Sequence, residues 1–379
     1  MTNTFFFDLL GSYSSYKDEN FSDRRIKHNE VLKSLKSLKE HAVFHTSEIG
    51  VSVENRSINM VTCGTGDYKI LLWSQMHGNE STGTQVIFDI FKFLSQKQAF
   101  QKEIGKILSA CKLYFIPLLN PDGAERFTRE NAFGVDINRD AVAMQTPEAK
   151  ILMNAVDAIQ PEFVFNLHDQ VPYYGVKETK KTAVFSFLSP AYNQAQEINQ
   201  RRREGMSWIS SVTKILEEII PGQVGKYSDL YMNTAFGDNV QKRDLSAVLI
   251  ESGWTNEDPE KQEVRKLHFA FMGYGLLGLA EQNYGNDSIA YEQLSYLSKD
   301  FYFDILFKNV TLENDHTNCL VDIGIRRQFL KKSDKFVVDS IGDLSNYSGY
   351  TVVDVAGRKY SKKLSLGGEA DRLIGHLIH

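Results

Sequence analysis

Short apolar runs alternate with helical patterns along the central part of this chain. The runs cover residues 69–73, 112–119, 163–167, 183–188 and 247–250, and most of them are apolar at successive positions. Strands that are buried on both faces have this pattern, whereas half-exposed strands alternate between apolar and polar residues. The chain therefore predicts an α/β fold with three layers, in which a parallel or mixed sheet is covered by helices on both faces.

Helical patterns with clear ends separate these runs. The pattern over residues 82–95 places apolar side chains at spacings of three and four, and its cap is Ser81 or Thr82. Another pattern opens with Pro147 in the first turn and predicts a helix over residues 146–159. Further helices are predicted over residues 29–39, 191–219 and 259–284, and a strand pair over residues 50–63.

The pattern changes after Asn286. Strand-like runs separated by turns follow over residues 301–310, 319–325, 335–338 and 350–355. We therefore expect a large α/β domain over residues 1–286 and a small all-β accessory domain over residues 287–379. The sequence leaves open whether the accessory domain restricts access, mediates dimerisation or covers an apolar flank, and it leaves the oligomeric state open.

Composition and charge exclude several classes of protein. Among 379 residues, 42% are apolar and 24% are charged, which is typical of a folded soluble protein. The net charge of −5 and the lack of a long basic run argue against nucleic acid as a partner. Cys63, Cys111 and Cys319 form no CxxC pair, which favours a reducing compartment. The N-terminus does not resemble a signal peptide and no apolar run approaches a membrane span, so we expect a cytoplasmic protein without membrane contact.

Polar and ionisable residues follow four of the apolar runs. In open α/β sheets the ligand crevice lies beyond the carboxyl ends of the strands, so side chains from separate segments are expected to meet there. In chain order these residues are His77 and Glu80, then Arg126, Arg129, Asn138 and Arg139, then His168 and Asp169, and finally Glu251.

Three of these residues have the chemistry of zinc ligands. His77 and Glu80 lie three residues apart in the stretch WSQMHGNES, just after an apolar run. Such a spacing is often coincidence when it stands alone, and a single histidine such as His168 is more often a core residue. Together, however, two imidazoles and one carboxylate are the ligands of a hydrolytic zinc, which leaves a fourth position for water. We therefore predict one zinc ion bound by His77, Glu80 and His168.

The remaining residues suit the steps of amide hydrolysis. Glu251 could act as the base that takes a proton from zinc-bound water, although a surface carboxylate at a strand end is the alternative. Arg129 could stabilise the oxyanion of the tetrahedral intermediate, with Arg126 as a second candidate.

Two further roles concern the substrate carboxylate and the orientation of a ligand. Asn138 and Arg139 could bind a substrate carboxylate, since a guanidinium forms paired hydrogen bonds with it. Asp136 could orient His77 by accepting the N–H of the second ring nitrogen.

The ordered motifs HGNE, NPDG, R-x-N and GVD-x-NR, with a later histidine and a later glutamate after strands, resemble the zinc metallocarboxypeptidases of the carboxypeptidase A type. The resemblance covers roughly residues 51–283 and implies a mixed eight-stranded α/β/α sheet. It also implies zinc ligands at His77, Glu80 and His168, and Arg129 at the scissile carbonyl. Asn138 and Arg139 then match the pair at the terminal carboxylate, and Glu251 matches the general base.

The chain departs from that family pattern in three places. The motif that usually ends NRN ends NRD here, so Asp140 could alter the charge of the carboxylate subsite. The last strand reads IESG, where the family often has an apolar residue and an arginine after the glutamate. The mobile tyrosine of the family cannot be placed, although Tyr227 and Tyr231 lie in the right loop.

The leading hypothesis is a metallocarboxypeptidase that removes one C-terminal residue from a peptide or an amide-linked cell-wall fragment. Its substrate would carry a free carboxylate. The alternatives are a zinc deacylase of N-acyl amino acids, as in aspartoacylase-like relatives, and a catalytically silent peptide-binding module. Residue preference stays open, because nothing in the sequence shows which of Asp229, Asp238 and Asp244 faces the side-chain pocket.

Overall fold

The computed structural model describes residues 3–255, 258–284, 287–298, 302–328 and 335–378. The chain divides into two compact units, one with Met1–Val171 and Ala183–Leu297 and the other with Pro172–Thr182 and Ser298–His379. The boundary predicted after Asn286 falls on a residue outside this description. Among the described residues, no helix is both long and apolar enough to cross a membrane.

An eight-stranded mixed sheet forms the centre of the larger unit. The strand order is β1-β2-β4-β3-β5-β8-β6-β7, in which β4, β3, β5 and β8 are parallel neighbours. Strands β2, β6 and β7 run antiparallel to that group, and the edge strand β1 is antiparallel to β2. This confirms the predicted mixed α/β sheet. The strands are β1 (His45–Val51), β2 (Ser57–Cys63), β3 (Tyr68–Ser74), β4 (Cys111–Ile116), β5 (Phe163–Asp169), β6 (Phe185–Leu188), β7 (Val224–Lys226) and β8 (Ser246–Ser252).

Successive residues of the central strands enter two separate cores. In β3, Ile70 and Leu72 belong to one apolar cluster, whereas Leu71 and Trp73 belong to the cluster on the other face. Because side chains alternate across a strand, burial on both faces requires the continuous apolar runs seen in the sequence. The second predicted run ends early, at Ile116, because Pro117 has no N–H for the ladder.

Helices cover both faces of this sheet. Side chains of α1, α2, α3, α4, α7 and α9 contribute to the first core, and those of α6 and α8 contribute to the second. The helices are α1 (Asn3–Gly11), α2 (His28–Leu38), α3 (Thr82–Leu94), α4 (Gln101–Ala110), α5 (Pro121–Arg126), α6 (Pro147–Ile159), α7 (Gln200–Ile219), α8 (Phe236–Lys242), α9 (Gln262–Ala280) and α10 (Ile289–Glu292), with 3-10 turns at Tyr13–Ser15 and Ile137–Arg139.

One predicted helix starts later than the pattern indicates. The pattern predicts a helix from residue 191, but α7 begins at Gln200, because the Asn199 side chain accepts a hydrogen bond from the Arg202 N–H and caps the helix there.

The second unit is rich in strands, as predicted. Its sheet has the order β11-β10-β9-β12, and β13 pairs with β9. The strands are β9 (Tyr302–Glu313), β10 (Asn318–Gln328), β11 (Lys335–Gly342), β12 (Ser348–Asp354) and β13 (Lys359–Tyr360), and two-residue strands lie at Gly175–Val176 and Leu297–Ser298. The predicted strand start at residue 301 lies outside the described residues. A helix that the sequence analysis did not assign, α11 (Asp371–Ile378), packs Leu373 and Leu377 into the core of this unit.

Candidate metal centre and active site

The loop after β3 carries the first two predicted ligands. Gln75 has a left-handed backbone conformation, with φ of 52°, and its side-chain amide donates to the Gly78 carbonyl at 2.8 Å. This turn takes the chain off the sheet edge, and α3 begins five residues after His77, at Thr82. His77 and Glu80 are thereby held on a short buried loop rather than on a flexible surface segment.

The NPDG motif supports this loop through backbone contact. A Cβ atom on Gly78 would lie 2.0 Å from the carbonyl carbon of Gly123, so only glycine allows the two backbones to approach. Asn120 donates to the Met76 carbonyl at 3.1 Å and caps α5 by accepting from the Gly123 N–H at 2.9 Å. The HGNE and NPDG motifs therefore form one docked structure, in which NPDG positions the ligand loop.

The donor atoms of His77, Glu80 and His168 converge on one point. His77 Nδ1 lies 2.9 Å from Glu80 Oε1, and His168 Nδ1 lies 2.8 Å from Glu80 Oε2. The two Nδ1 atoms are 3.1 Å apart, and all three side chains are buried. The structure thus brings together the three side chains predicted as ligands.

These residues fit a zinc ion in number and type of donor. Tetrahedral ligands at about 2.0–2.1 Å from zinc are separated by about 3.4 Å, which is close to the observed spacing. His77 Nε2 lies 3.0 Å from Asp136 Oδ1, so its N–H donates there and the Nδ1 lone pair is free to bind a metal. Burial lowers the pKa of His168, which favours the neutral imidazole that a metal requires.

Arg129 lies against the same cluster. Its Nη1 is 3.2 Å from Glu80 Oε1 and 3.2 Å from His77 Nδ1, and its Nε and Nη2 donate to Asp136 Oδ2 at 3.1 and 3.0 Å. Asp136 therefore holds the guanidinium and the imidazole at once. Arg126, the second candidate for the oxyanion, instead pairs with Glu54 and donates to the Asp122 carbonyl at 3.0 Å, away from the cluster.

Glu251 is placed beside His168 by strand register. The two residues are partners in the parallel ladder between β5 and β8, so their side chains leave the same face of the sheet about 4.8 Å apart. Burial raises the pKa of Glu251 well above its ordinary value, and the nearby carboxylates of Glu80 and Asp169 raise it further. A carboxylate with a raised pKa next to the ligand cluster has the properties of a general base.

Asn138 and Arg139 lie on the 3-10 turn that follows Asp136. The Asp136 side chain caps this turn by accepting from the Asn138 N–H at 2.9 Å. Asn138 Oδ1 accepts from the Phe236 N–H at 2.9 Å, which leaves the amide NH2 group as a donor, and the Arg139 side chain is exposed. The same carboxylate that orients His77 therefore also fixes the start of the turn that carries the predicted pair.

Asp140 forms hydrogen bonds within its own loop, and its effect on the subsite charge stays a prediction. Its buried carboxylate accepts from the Gln145 N–H at 2.9 Å and from the N–H and hydroxyl of Thr146 at 2.7 and 2.8 Å. These bonds close the loop before α6. The replacement of the usual NRN by NRD is thus explained by the acceptors that this loop needs.

The IESG departure also has a geometric cause. A Cβ atom on Gly253 would lie 2.0 Å from the Ala183 carbonyl oxygen, so no side chain fits two residues after Glu251. A cation from another segment, Lys261, contacts this strand end, because its Nζ donates to the Ser252 carbonyl at 2.9 Å. Sequence reasoning missed Lys261, because the charged segment DPEK that ends in it is typical of an exposed loop.

The three aspartates that were considered for the side-chain pocket have different environments in the structure. Asp229 pairs with Arg202 at 2.8 Å, and Asp244 is exposed. Asp238 is buried, accepts from the Met232 N–H at 3.0 Å, and has a pKa that burial raises to about 6. Tyr227 and Tyr231 lie between β7 and α8, and the mobile tyrosine stays unassigned.

Comparison with known proteins shows what this chain is similar to. The model of the zinc carboxypeptidase family matches residues 29–215. The chain is 26% identical to carboxypeptidase M of Mus musculus over 137 residues, which are 31% of this chain and 31% of the relative. It is 28% identical to carboxypeptidase 2 of Trichophyton tonsurans over 104 residues, 27% of this chain and 19% of that protein. The aligned part thus spans about a third or less of these relatives.

Solved structures share the fold. A metallo-carboxypeptidase from Pseudomonas aeruginosa in complex with (2-guanidinoethylmercapto)succinic acid matches with a TM-score of 0.55 and 15% identity, over 68% of this chain and 69% of that one. Carboxypeptidase A from Helicoverpa armigera matches with a TM-score of 0.51 and 14% identity, over 73% of this chain and 79% of that one. These structures show that the chain has the carboxypeptidase fold, and the zinc carboxypeptidase family model matches just under half of the chain.

Proposed function

We propose that this chain is a zinc-dependent carboxypeptidase that removes one residue from the C-terminus of a peptide or a peptide-like amide. The observation that carries the proposal is the convergence of three zinc-type donor atoms beside Glu251 and Arg129. A silent binding module would need the scaffold but not a buried base next to the ligands. The proposal therefore rests on the site, and the match to the zinc carboxypeptidase family model supports it.

His77, Glu80 and His168 would hold the metal. Zinc, when bound, lowers the pKa of a water molecule and polarises the scissile carbonyl. Glu251 takes a proton from the attacking water and returns it to the leaving amine, since its raised pKa suits both transfers.

Arg129 supplies fixed positive charge beside the ligands. Asp136 anchors its Nε and Nη2, so Nη1 stays directed at the cluster. A guanidinium fixed in this way stabilises negative charge on the carbonyl oxygen without reorganising as the reaction proceeds. Removing one such donor typically costs about 100-fold to 1,000-fold in kcat.

Arg139 and the amide of Asn138 would bind the terminal carboxylate of the substrate. Their turn begins at Asp136, so the carboxylate site and the ligand loop share one anchor. A charge-assisted hydrogen bond contributes about 1.5–3 kcal/mol, or roughly 10-fold to 150-fold in kcat/KM. We therefore expect free-acid peptides to be cleaved and C-terminally amidated peptides to be poor substrates.

The test combines metal analysis with a screen of blocked dipeptides and N-acyl amino acids. Wild-type protein is expected to bind about one zinc ion and to cleave the dipeptides, and His77→Ala to lose the metal while the exposed control His45→Ala keeps it. Glu251→Gln should keep zinc and lose about 100-fold to 10,000-fold in kcat. Turnover of N-acyl amino acids alone would favour the deacylase, and zinc binding with no rate change in Glu251→Gln would favour a binding module.

The cytoplasmic location stays a proposal. Cys63 and Cys111 are buried thiols and Cys319 is an exposed one, which suits a reducing compartment. Fractionation of the source cells would test it, and recovery of the protein outside the cytoplasm would contradict it.

A further inference from the structure

Lys261 is a buried cation that the proposed chemistry does not use. Its side chain is 3% exposed and its ammonium lies 4.8 Å from the centre of the Trp254 ring. Burial lowers the pKa of Lys261, as expected for an ammonium removed from water. Its Nζ donates to the Ser252 carbonyl at 2.9 Å and lies 3.4 Å from Asp169 Oδ2. Lysine is almost never fully buried unless it is paired, so the position needs an explanation.

Asp169 connects this cation to the ligand loop. Its Oδ2 accepts from the N–H of Thr82 at 3.3 Å and from the Thr82 hydroxyl at 2.9 Å, at the first residue of α3. Its backbone N–H donates to Glu80 Oε2 at 3.2 Å. Asp169 therefore holds a ligand carboxylate through the main chain and the adjoining helix start through the side chain.

The pair joins three segments, each of which carries one residue of the site. Glu80 precedes α3, His168 lies directly before Asp169 at the end of β5, and Glu251 lies directly before Ser252 at the end of β8. We propose that Lys261 and Asp169 form a clamp that fixes the zinc ligands Glu80 and His168 relative to Glu251. Both are positioning residues, because their contacts reach the site through neighbouring groups.

The alternative is that the pair only stabilises the fold. Burying two charges is costly, and replacing a buried ion pair by neutral side chains is often neutral or stabilising. In addition, Asp169 Oδ1 is buried and has no hydrogen-bond partner within the residues that the structure describes. Stability alone therefore does not explain why Lys261 and Asp169 are buried here. Their contacts with the three segments that carry Glu80, His168 and Glu251 explain it better.

The experiment replaces both charges together. Lys261→Met with Asp169→Asn leaves no uncompensated charge from the pair. Methionine is unbranched like lysine and one heavy atom shorter, and the asparagine retains an oxygen that can accept from Thr82. The measured quantities are the unfolding midpoint, the rate of zinc loss to a chelator, the visible spectrum of the cobalt-substituted protein, and kcat and KM separately.

A matched control is available between α3 and α9. Asp89 on α3 and Arg265 on α9 form another fully buried ion pair, with Oδ1 2.6 Å from Nη2. Asp89→Asn with Arg265→Met should leave zinc loss, the cobalt spectrum and KM unchanged, because the side chains of this pair bond to each other and to none of the three segment ends. Their other partners are Tyr13, Asp18, Phe21, Gln85 and Gln262.

The clamp predicts that the Lys261 and Asp169 double variant folds with a midpoint near that of wild type. Zinc loss should be about 10-fold to 100-fold faster, kcat about 10-fold to 100-fold lower with KM unchanged, and the cobalt spectrum altered. Wild-type zinc loss and kcat would overturn the clamp, as would failure of the variant to fold or equal zinc loss in the control. The kcat arm rests on the proposed function, whereas the zinc and cobalt arms decide the clamp even if no peptide is cleaved.

Discussion

Replacing Asp140 by asparagine tests whether the NRD sequence serves the fold or the substrate. The change restores the usual NRN motif, so a role in the subsite would make the variant a better enzyme. The structure indicates the opposite outcome. The Asp140 carboxylate is buried and accepts three hydrogen bonds, from the Gln145 N–H and from the N–H and hydroxyl of Thr146.

The expected loss follows from the number of acceptors. An amide has one oxygen, so an asparagine that keeps both bonds to Thr146 turns its NH2 group towards the Gln145 N–H. A buried donor left without an acceptor costs about 1–3 kcal/mol, and bonds to a neutral oxygen are about 1 kcal/mol weaker than bonds to a carboxylate. We therefore expect Asp140→Asn to lower the free energy of unfolding by about 2–4 kcal/mol, or the midpoint by about 3–6 °C.

The assay compares thermal unfolding with kcat/KM on free-acid and amidated peptides. Asp157→Asn, at an exposed position in the last turn of α6, is the control and should change stability by no more than about 0.5 kcal/mol. The ratio of kcat/KM values for the two peptides should stay at the wild-type level. An unchanged midpoint with a changed ratio would refute the structural role and return Asp140 to the subsite.

Three further predictions concern groups whose burial determines their behaviour. The pKa of Glu251 is raised, so activity should fall as the pH drops, with a midpoint above about 4.3, the ordinary pKa of glutamic acid. Full activity at pH 4 with zinc still bound would contradict the assignment of Glu251 as the base. Arg265→Met leaves Asp89 buried without its cation and should cost about 3–5 kcal/mol in urea unfolding, most of which the additional change Asp89→Asn should restore. Folding raises the pKa of Asp238 from 3.8 to about 6, so its contribution to stability is present below pH 3.8 and is lost as pH rises through 6. The free energy of unfolding of Asp238→Asn, relative to that of wild type, should therefore increase by up to about 3 kcal/mol between pH 4 and 7. A difference that does not change with pH would argue against the raised pKa.

The elements that the sequence predicts best are those with strong local patterns. Helix α3 starts and ends within one residue of its prediction, because its apolar spacing and its start signal agree. The short helices α1, α4 and α11 were not assigned. Each has a brief pattern that is equally consistent with a loop, and its helical form depends on the core against which it packs. Local pattern thus determines long buried elements, whereas tertiary packing determines short ones.

The candidate site divides in the same way. The spacing of His77 and Glu80 predicts them as ligands, and the positions of His168 and Glu251 directly after apolar strands predict that they join the site. This works because the carboxyl ends of parallel strands lie at the same edge of the sheet. The role of Asp140 was not predictable, since its acceptors bind donors whose positions follow from a folded loop. Residues that act directly on a metal have recognisable chemistry, whereas the residues that position them are ordinary polar side chains.

The IESG departure from the family pattern has a structural explanation when it is considered together with Lys261. A side chain at Gly253 would collide with the Ala183 carbonyl, so an arginine cannot follow Glu251 at that place. Positive charge nevertheless reaches the same strand end, since Lys261 donates to the Ser252 carbonyl and lowers the pKa of Glu251 against the effect of burial. The charge that the base experiences is therefore set by the folded arrangement rather than by the adjacent sequence. A motif search centred on Glu251 would therefore overlook Lys261, which lies ten residues later in the sequence.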